Sequence, residues 1–215
     1  MKVKVTPSKV HGNVKIPASK SMAHRALICA SLSDGTSIVS NVTNSKDIEA
    51  TVGCMKALGA IIKQIDETTY EVTGTNLFKQ EGNITCNANE SGSTLRFLIP
   101  LAACTNAKVK FLGQGRLLQR PMDVYANEFK KQNIEFNQSN QEIIVSGKLK
   151  AKDYVVQGDI SSQFITGFMF VLPLLDQDST LTITEPYESK SYVNLTIQML
   201  AKFGIEILET SSNSY

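Results

Sequence analysis

The alternation of apolar and polar positions along this chain changes period in a set order, and the order recurs. Each copy reads as a short strand ending in a polar loop: Pro17-Ala18-Ser19-Lys20-Ser21, then Asn89-Glu90-Ser91-Gly92-Ser93, then Gly158-Asp159-Ile160-Ser161-Ser162-Gln163. An apolar helix follows each loop. A strand comes next, over Ser37 to Val42, Lys108 to Leu112 and Thr180 to Thr184, and then a second helix and a further strand. Self-similarity at a period of roughly 70 residues marks an internal repeat.

The two kinds of helix differ in pattern. In the second helices Ile48, Val52, Met55 and Leu58 share one face. Val193, Ile197, Leu200 and Phe203 repeat that spacing, and Met122, Tyr125, Ala126 and Phe129 form a similar stripe. A single stripe predicts a surface position. The first helices, Ala26 to Leu32, Leu95 to Ala103 and Phe164 to Leu175, are apolar nearly all round, which predicts burial. Pro100 is expected to bend the second of these or to remove a hydrogen bond there. Gly59 and Gly204 stand where helix C-termini favour a left-handed residue, with Asn133 as the substitute in the middle copy.

The economical packing is an α/β domain with pseudo-threefold symmetry, three parallel helices buried inside and strands and amphipathic helices around them. The repeats span about residues 14–76, 77–150 and 151–215. The first two copies close with a strand and a glycine, Tyr70 to Gly74 and Ile143 to Gly147. The third reaches Asn213-Ser214-Tyr215 where that strand is due, so the chain is expected to be shorter than its natural gene product. Met1 to Thr6 alternates like a strand and has no apolar stretch of signal-peptide length.

With 215 residues, 42% of them hydrophobic, the chain can bury a full core. Its net charge of +2 is too small to point to nucleic acid or a membrane surface. Cys29, Cys54, Cys86 and Cys104 lack metal-binding spacing and read as free, buried thiols of a reducing cytosol.

Three parallel helices that begin after equivalent loops should present their free N–H groups at one end, a floor for anions. Ser21, Ser91 and Ser161 are the candidate N-caps. Lys20, Arg25, Arg96, Arg116 and Arg120 cluster beside these starts, where cations oppose the helix dipole, and binding phosphate or carboxylate is the better reason for them. His24, alone on an apolar helix, reads as a packed residue, and Asp47 as the N-cap of the second helix or, in the alternative, a contact across a domain cleft.

These residues carry a family resemblance. Lys20-Ser21-Met22-Ala23-His24-Arg25, followed by Ser31-Leu32-Ser33-Asp34-Gly35, resembles the opening signature of EPSP synthases. Glu90-Ser91-Gly92-Ser93-Thr94-Leu95-Arg96 resembles a variant of the family's Gly-Asn-Ala-Gly-Thr-Ala-x-Arg loop, with Glu90 at the usual Asn position. The stretch from Leu112 to Pro121 is similar to the family's Gly-x-x-Arg-x-x-x-Arg-Pro. Ser161-Ser162-Gln163-Phe164 and Ser189-Lys190-Ser191-Tyr192 resemble two further segments, in order, with Ser191 at a common Pro position.

The resemblance implies a cytoplasmic, monomeric two-domain transferase of the shikimate pathway, the target of glyphosate. Each domain would be built of three βαβαββ units. Residues 14–215 would form its N-terminal domain, and residues 1–13 a strand crossing to a C-terminal domain not included here. The family transfers the enolpyruvyl group of phosphoenolpyruvate to the 5-hydroxyl of shikimate 3-phosphate, with no metal or organic cofactor. By motif, Lys20, Ser21, Arg25, Ser161, Ser162, Gln163, Ser189 and Tyr192 would hold shikimate 3-phosphate. Lys20, Gly92, Arg120 and Gln163 would hold phosphoenolpyruvate, and Lys20, Arg120 and Gln163 would serve catalysis. The family's carboxylate acid and base would lie in the absent domain, so this half is expected to bind shikimate 3-phosphate weakly and not to turn over. A half of UDP-N-acetylglucosamine enolpyruvyl transferase shares the fold but would open with Lys-Asn in place of Lys20-Ser21. A non-enzymatic module of the same fold is the other alternative, and the weak charge argues against RNA as its partner.

Overall fold

The computed structural model describes residues 2–9 and 11–215. The first repeat holds α1 (Lys20–Leu32), β1 (Thr36–Val39), α2 (Lys46–Ala57), β2 (Ile61–Gln64) and β3 (Tyr70–Thr73). The second holds β4 (Glu81–Asn87), α3 (Gly92–Ala102), β5 (Asn106–Leu112), α4 (Asp123–Lys131), β6 (Glu135–Gln138) and β7 (Ile143–Ser146). The third holds β8 (Asp153–Gln157), α5 (Ser162–Val171), β9 (Thr180–Thr184) and α6 (Lys190–Lys202).

Each repeat makes its own small sheet, and the three differ. The order is β1-β3-β2 in the first, β4-β5-β7-β6 in the second and β8-β9 in the third. Strands β4 and β5 run parallel, as do β8 and β9, while the β2-β3 and β6-β7 hairpins are antiparallel. The opening strand expected in the first copy is not formed. Residues 2–9 and 11–19 hold no strand, and Val14 and Ile16 are exposed. An apolar alternation makes a strand only when one face finds a core and the backbone finds a partner strand, and this segment has neither. Met1 and Val10, within the expected strand of residues 1–13, lie outside the described residues. In the third sheet Asn213 and Tyr215 bond to Ile183 and Leu181 along β9, while Ile205 to Leu208 pair with no strand. A cavity of about 440 Å³ opens there, lined by Met169, Leu172, Leu175, Leu181 and Ile207.

The helices pack as expected. Residues of α1, α3 and α5 are buried nearly all round, and the three meet at Phe97. Its ring lies 5.2 Å from the Arg25 guanidinium carbon and edge-on to His24 and Phe170. Helices α2 and α6 bury one face each. Gly59, Asn133 and Gly204 all take the left-handed conformation that ends a helix.

Pro100 sits near the C-terminus of α3 and has no N–H to give the Arg96 carbonyl one turn back. The Tyr125 hydroxyl, from α4, donates to that carbonyl at 2.6 Å. Gly167 on α5 makes room for it, since a Cβ there would lie 2.2 Å from the Tyr125 oxygen and 2.7 Å from the Arg96 carbonyl oxygen. The four cysteines are free and buried.

Two N-caps differ from the reading of the sequence. Ser19, not Ser21, caps α1, accepting from the Met22 N–H, and Ser45, not Asp47, caps α2, accepting from the Ile48 N–H. The helices begin one or two residues from where the polar loop suggests, which places Ser21 and Asp47 inside the first turns. Ser91 and Ser161 cap α3 and α5 as expected.

Candidate active site

Contacts near the helix starts draw the repeats together at one end of the domain. Gln163, in the first turn of α5, donates from Nε2 to Ser93 Oγ at 3.0 Å and accepts at Oε1 from Arg96 Nη1 at 2.7 Å, both on α3. Arg120, from the loop before α4, reaches the same place. A Cβ on Gly92 would lie 2.6 Å from Arg120 Nη1 and 3.8 Å from Gln163 Oε1, so a glycine is what lets the guanidinium approach the first N–H groups of α3. Helix α1 joins through its neighbours. Lys20 Nζ is 2.5 Å from Asp47 Oδ2 in the first turn of α2, and the Asp47 carbonyl oxygen lies 3.3 Å from the Thr94 hydroxyl on α3.

The charges at this end are unbalanced. All ion pairs found among the described residues use lysines. The four arginines of the chain, Arg25, Arg96, Arg116 and Arg120, make none. Arg96 lies over the Phe164 ring at 4.9 Å, and its Nε is buried without a partner. Burial, and then the nearby Arg120 charge, lower the Arg96 pKa. Two guanidiniums held close beside a helix N-terminus, with no carboxylate between them, are unfavourable unless an anion joins them.

The other sequence-predicted residues fall into two groups. Arg25 is only 3% exposed. Its Nε donates to Thr196 Oγ1, its Nη1 to the Ser21 carbonyl, and its Nη2 to Thr166 Oγ1 and the Tyr192 carbonyl. Burial brings its pKa down to about 10. It therefore ties α1 to α5 and α6 from beneath the surface. Ser161 Oγ accepts from the Gln163 N–H, and Ser162 follows at the first position of α5, half-buried. Ser189 is exposed in the left-handed conformation just before α6, and Tyr192 is 48% exposed one turn on. Lys20 is held on the α2 side by Asp47. Arg116 is exposed at the start of a short 3-10 turn, away from the buried contacts. The Glu90 carboxylate lies over Gly115, close enough that a Cβ there would be 2.7 Å from Oε1.

His24 is packed, as its setting suggested. It is 1% exposed, its Nδ1 is 2.7 Å from Thr51 Oγ1, and burial holds its pKa down to about 4. Sequence reasoning missed the partnership of Ser93, Arg96 and Gln163, and the role of Asp47 as the counter-ion of Lys20. It also missed Thr51, Thr94, Thr166 and Thr196, which link neighbouring helices by their hydroxyls. The available signal was a threonine inside the apolar faces of α2, α3, α5 and α6, where a hydroxyl must find a partner.

A family model described as EPSP synthase (3-phosphoshikimate 1-carboxyvinyltransferase) matches residues 5–215. The 3-phosphoshikimate 1-carboxyvinyltransferase of Clostridium kluyveri is 50% identical over 205 residues, which is 94% of this chain and 48% of that protein. The protein of the same name from Clostridium perfringens strain SM101 is 47% identical over 216 residues, 100% of this chain and 50% of its own length. Among solved structures, EPSP synthase from Acinetobacter baumannii has a TM-score of 0.78, covering 94% of this chain and 46% of that one, at 19% identity, a likeness of fold. The chain spans about half the length of the curated relatives it matches. Among the described residues no helix is long and apolar enough to cross a membrane.

Proposed function

From the premise that this chain belongs to the EPSP synthase family, we propose that the helix-start end of the domain is one wall of an enolpyruvyl transferase site. The reaction joins phosphoenolpyruvate to the 5-hydroxyl of shikimate 3-phosphate and releases phosphate. The observation that carries this reading is the convergence of Arg96, Arg120 and Gln163 on the first turn of α3, with no carboxylate to balance the two arginines.

Both substrates are anions and repel one another. A surface that offers helix N–H groups and fixed guanidiniums overcomes that repulsion and aligns them. Arg120 and the N–H groups at Gly92 would take phosphoenolpyruvate, with Gln163 at the boundary between the ligands. Ser161, Ser162, Ser189 and Tyr192 would take shikimate 3-phosphate beside Ser21. Arg25 contributes from below by fixing the Ser21 and Tyr192 carbonyls. Lys20 must leave Asp47, or share it, to touch both substrates and assist proton transfer.

The second wall, with the carboxylate acid and base, would belong to the half of the family that this chain does not match. Closure of two such walls in the cytoplasm, within one monomer, completes the site. Alone, residues 14–215 should bind shikimate 3-phosphate weakly and release no phosphate from the substrate pair. Calorimetric titration and a phosphate-release assay with both substrates test this. Turnover by the chain alone near an ordinary rate of roughly 10 per second would overturn it.

A further inference from the structure

A line of buried polar groups runs from the core to this end, and the proposed ligand contacts leave it unexplained. His24 Nδ1 is 2.7 Å from Thr51 Oγ1, Thr51 Oγ1 is 2.7 Å from Thr94 Oγ1, and Thr94 Oγ1 is 2.7 Å from Ser91 Oγ. None of the four residues is more than 2% exposed. The line crosses three helices and ends at the N-cap of α3, beside Gly92 and Arg120.

The Thr94 hydroxyl has one proton and two acceptors in reach, Ser91 Oγ at 2.7 Å and the Asp47 carbonyl at 3.3 Å, and the shorter bond goes to Ser91; the open choice of direction lies between Thr51 and His24. In the inward direction Thr51 donates to Nδ1, and His24 carries its proton on Nε2. That atom is buried without a partner, so the proton would be an orphan donor. In the outward direction Nδ1–H donates to Thr51, Thr51 to Thr94 and Thr94 to Ser91, and Nε2 is left a bare acceptor. Buried orphan donors are rarer than under-used acceptors, which favours the outward direction. Burial keeps the ring neutral, with a pKa of about 4, so that a tautomer is defined at neutral pH.

We infer that His24, though it touches no ligand, is a positioning residue: its Nδ1–H polarises Thr51, Thr94 and Ser91 outward. Ser91 Oγ then accepts from both the Thr94 hydroxyl and the Thr94 N–H, which is 3.2 Å away. Its own proton remains as a donor at the mouth of α3, strengthened by the hydrogen bonds behind it. The inference rests on reading that mouth as an anion site.

The chain has two histidines, His11 and His24, so a His11→Gln variant leaves one ring to observe. A long-range proton–nitrogen correlation spectrum of that variant, labelled with ¹⁵N-histidine, reports the His24 tautomer directly. The Nδ1–H form is expected, and the Nε2–H form overturns the proposal. Titration with inorganic phosphate gives the second readout. Thr51→Val cuts the line at constant shape and should weaken phosphate binding roughly fivefold, the value of one neutral hydrogen bond. Thr51→Ser should restore it. Unchanged binding in Thr51→Val overturns the link to the ligand. If the valine variant does not fold, Thr51→Ala makes the same cut, with unchanged phosphate binding again overturning the link, and the tautomer spectrum decides the direction independently. A parent chain that binds no phosphate overturns the anion site, and the link to it with it, whereas the tautomer separately decides the direction of the line.

Discussion

Gly167→Ala should destabilise the domain, and adding Tyr125→Phe to it should cost almost nothing further. A methyl group at residue 167 would sit 2.2 Å from the Tyr125 oxygen, 2.7 Å from the Arg96 carbonyl oxygen and 3.1 Å from Pro100 Cγ. Either α5 moves away from α3 or the tyrosine leaves its place. Overpacking of this kind costs about 3 kcal/mol at the upper end of its usual range. Loss of the Tyr125 hydrogen bond adds about 1 kcal/mol, and the better helix propensity of alanine returns about 1 kcal/mol. The net expectation is a loss of about 3 kcal/mol. Tyr125→Phe alone leaves the Arg96 carbonyl without a donor, because Pro100 cannot supply one, at a cost of about 2 kcal/mol. If the two effects were independent, the double variant would lose about 5 kcal/mol, their sum. Because phenylalanine removes the nearest clashing atom, it should lose only about 3 kcal/mol, a coupling of about 2 kcal/mol. Urea unfolding followed by circular dichroism measures all four corners of the cycle. Additive losses, or a Gly167→Ala variant within about 0.5 kcal/mol of the parent, the range of ordinary surface changes, would refute the account of how α3, α4 and α5 interlock. Gln163 lies one turn before Gly167, so phosphate binding should weaken together with stability.

Stability should fall as pH drops through the window set by His24. The unfolded ring takes up a proton near 6.5 and the folded ring only near about 4. Between these values the unfolded state binds more protons, which removes up to about 3 kcal/mol. Urea midpoints at several pH values should show a shallower fall in His24→Asn, and an identical slope would exclude His24 as the cause. All four thiols should resist a water-soluble disulfide reagent in the folded protein and react once urea is added, since burial pushes Cys104, and Cys29 against the pull of the Arg25 charge, up to about 12. Rapid reaction of more than one thiol in buffer would contradict the packing. Arg96→Lys keeps the charge but loses the planar stack on Phe164 and the bond to Gln163, so calorimetry should find phosphate affinity reduced on the order of tenfold. A lysine variant equal to the parent would remove Arg96 from the site.

The repeat, the buried first helices and the shared helix ends were legible because each rests on a local rule. Phe164 to Val171 is apolar all round whatever its neighbours, and Gly59, Asn133 and Gly204 mark helix ends by backbone conformation alone. The cations were legible for a similar reason, since a basic residue at a helix start is locally unfavourable. Partnership was not legible. Nothing in the residues around Arg25 says that its donors turn inward to Thr166 and Thr196, more than a hundred positions away, or that Lys20 faces Asp47. Tertiary proximity sets those contacts. The N-caps failed by a smaller margin. Ser19 and Ser21, or Ser45 and Asp47, are equally good caps by composition, and only the path of the incoming chain chooses between them. For the alternation near Val3 and Val5, period alone cannot say which neighbouring strand it would join.

The unequal sheets set where the domain gives way. With two strands in register and a cavity at its flank, the third repeat has fewer cross-strand bonds to break than the second. Among the strands and helices, amide exchange should therefore be fastest in β8, β9 and the start of α6, and slowest in β5 and β7. A partial opening of that third would carry off Ser161, Gln163 and Tyr192 while leaving Gly92 and Arg120 in place. The two anions would then depend on regions of unequal stiffness, so the grip on one could be lost through local breathing long before the chain as a whole melts.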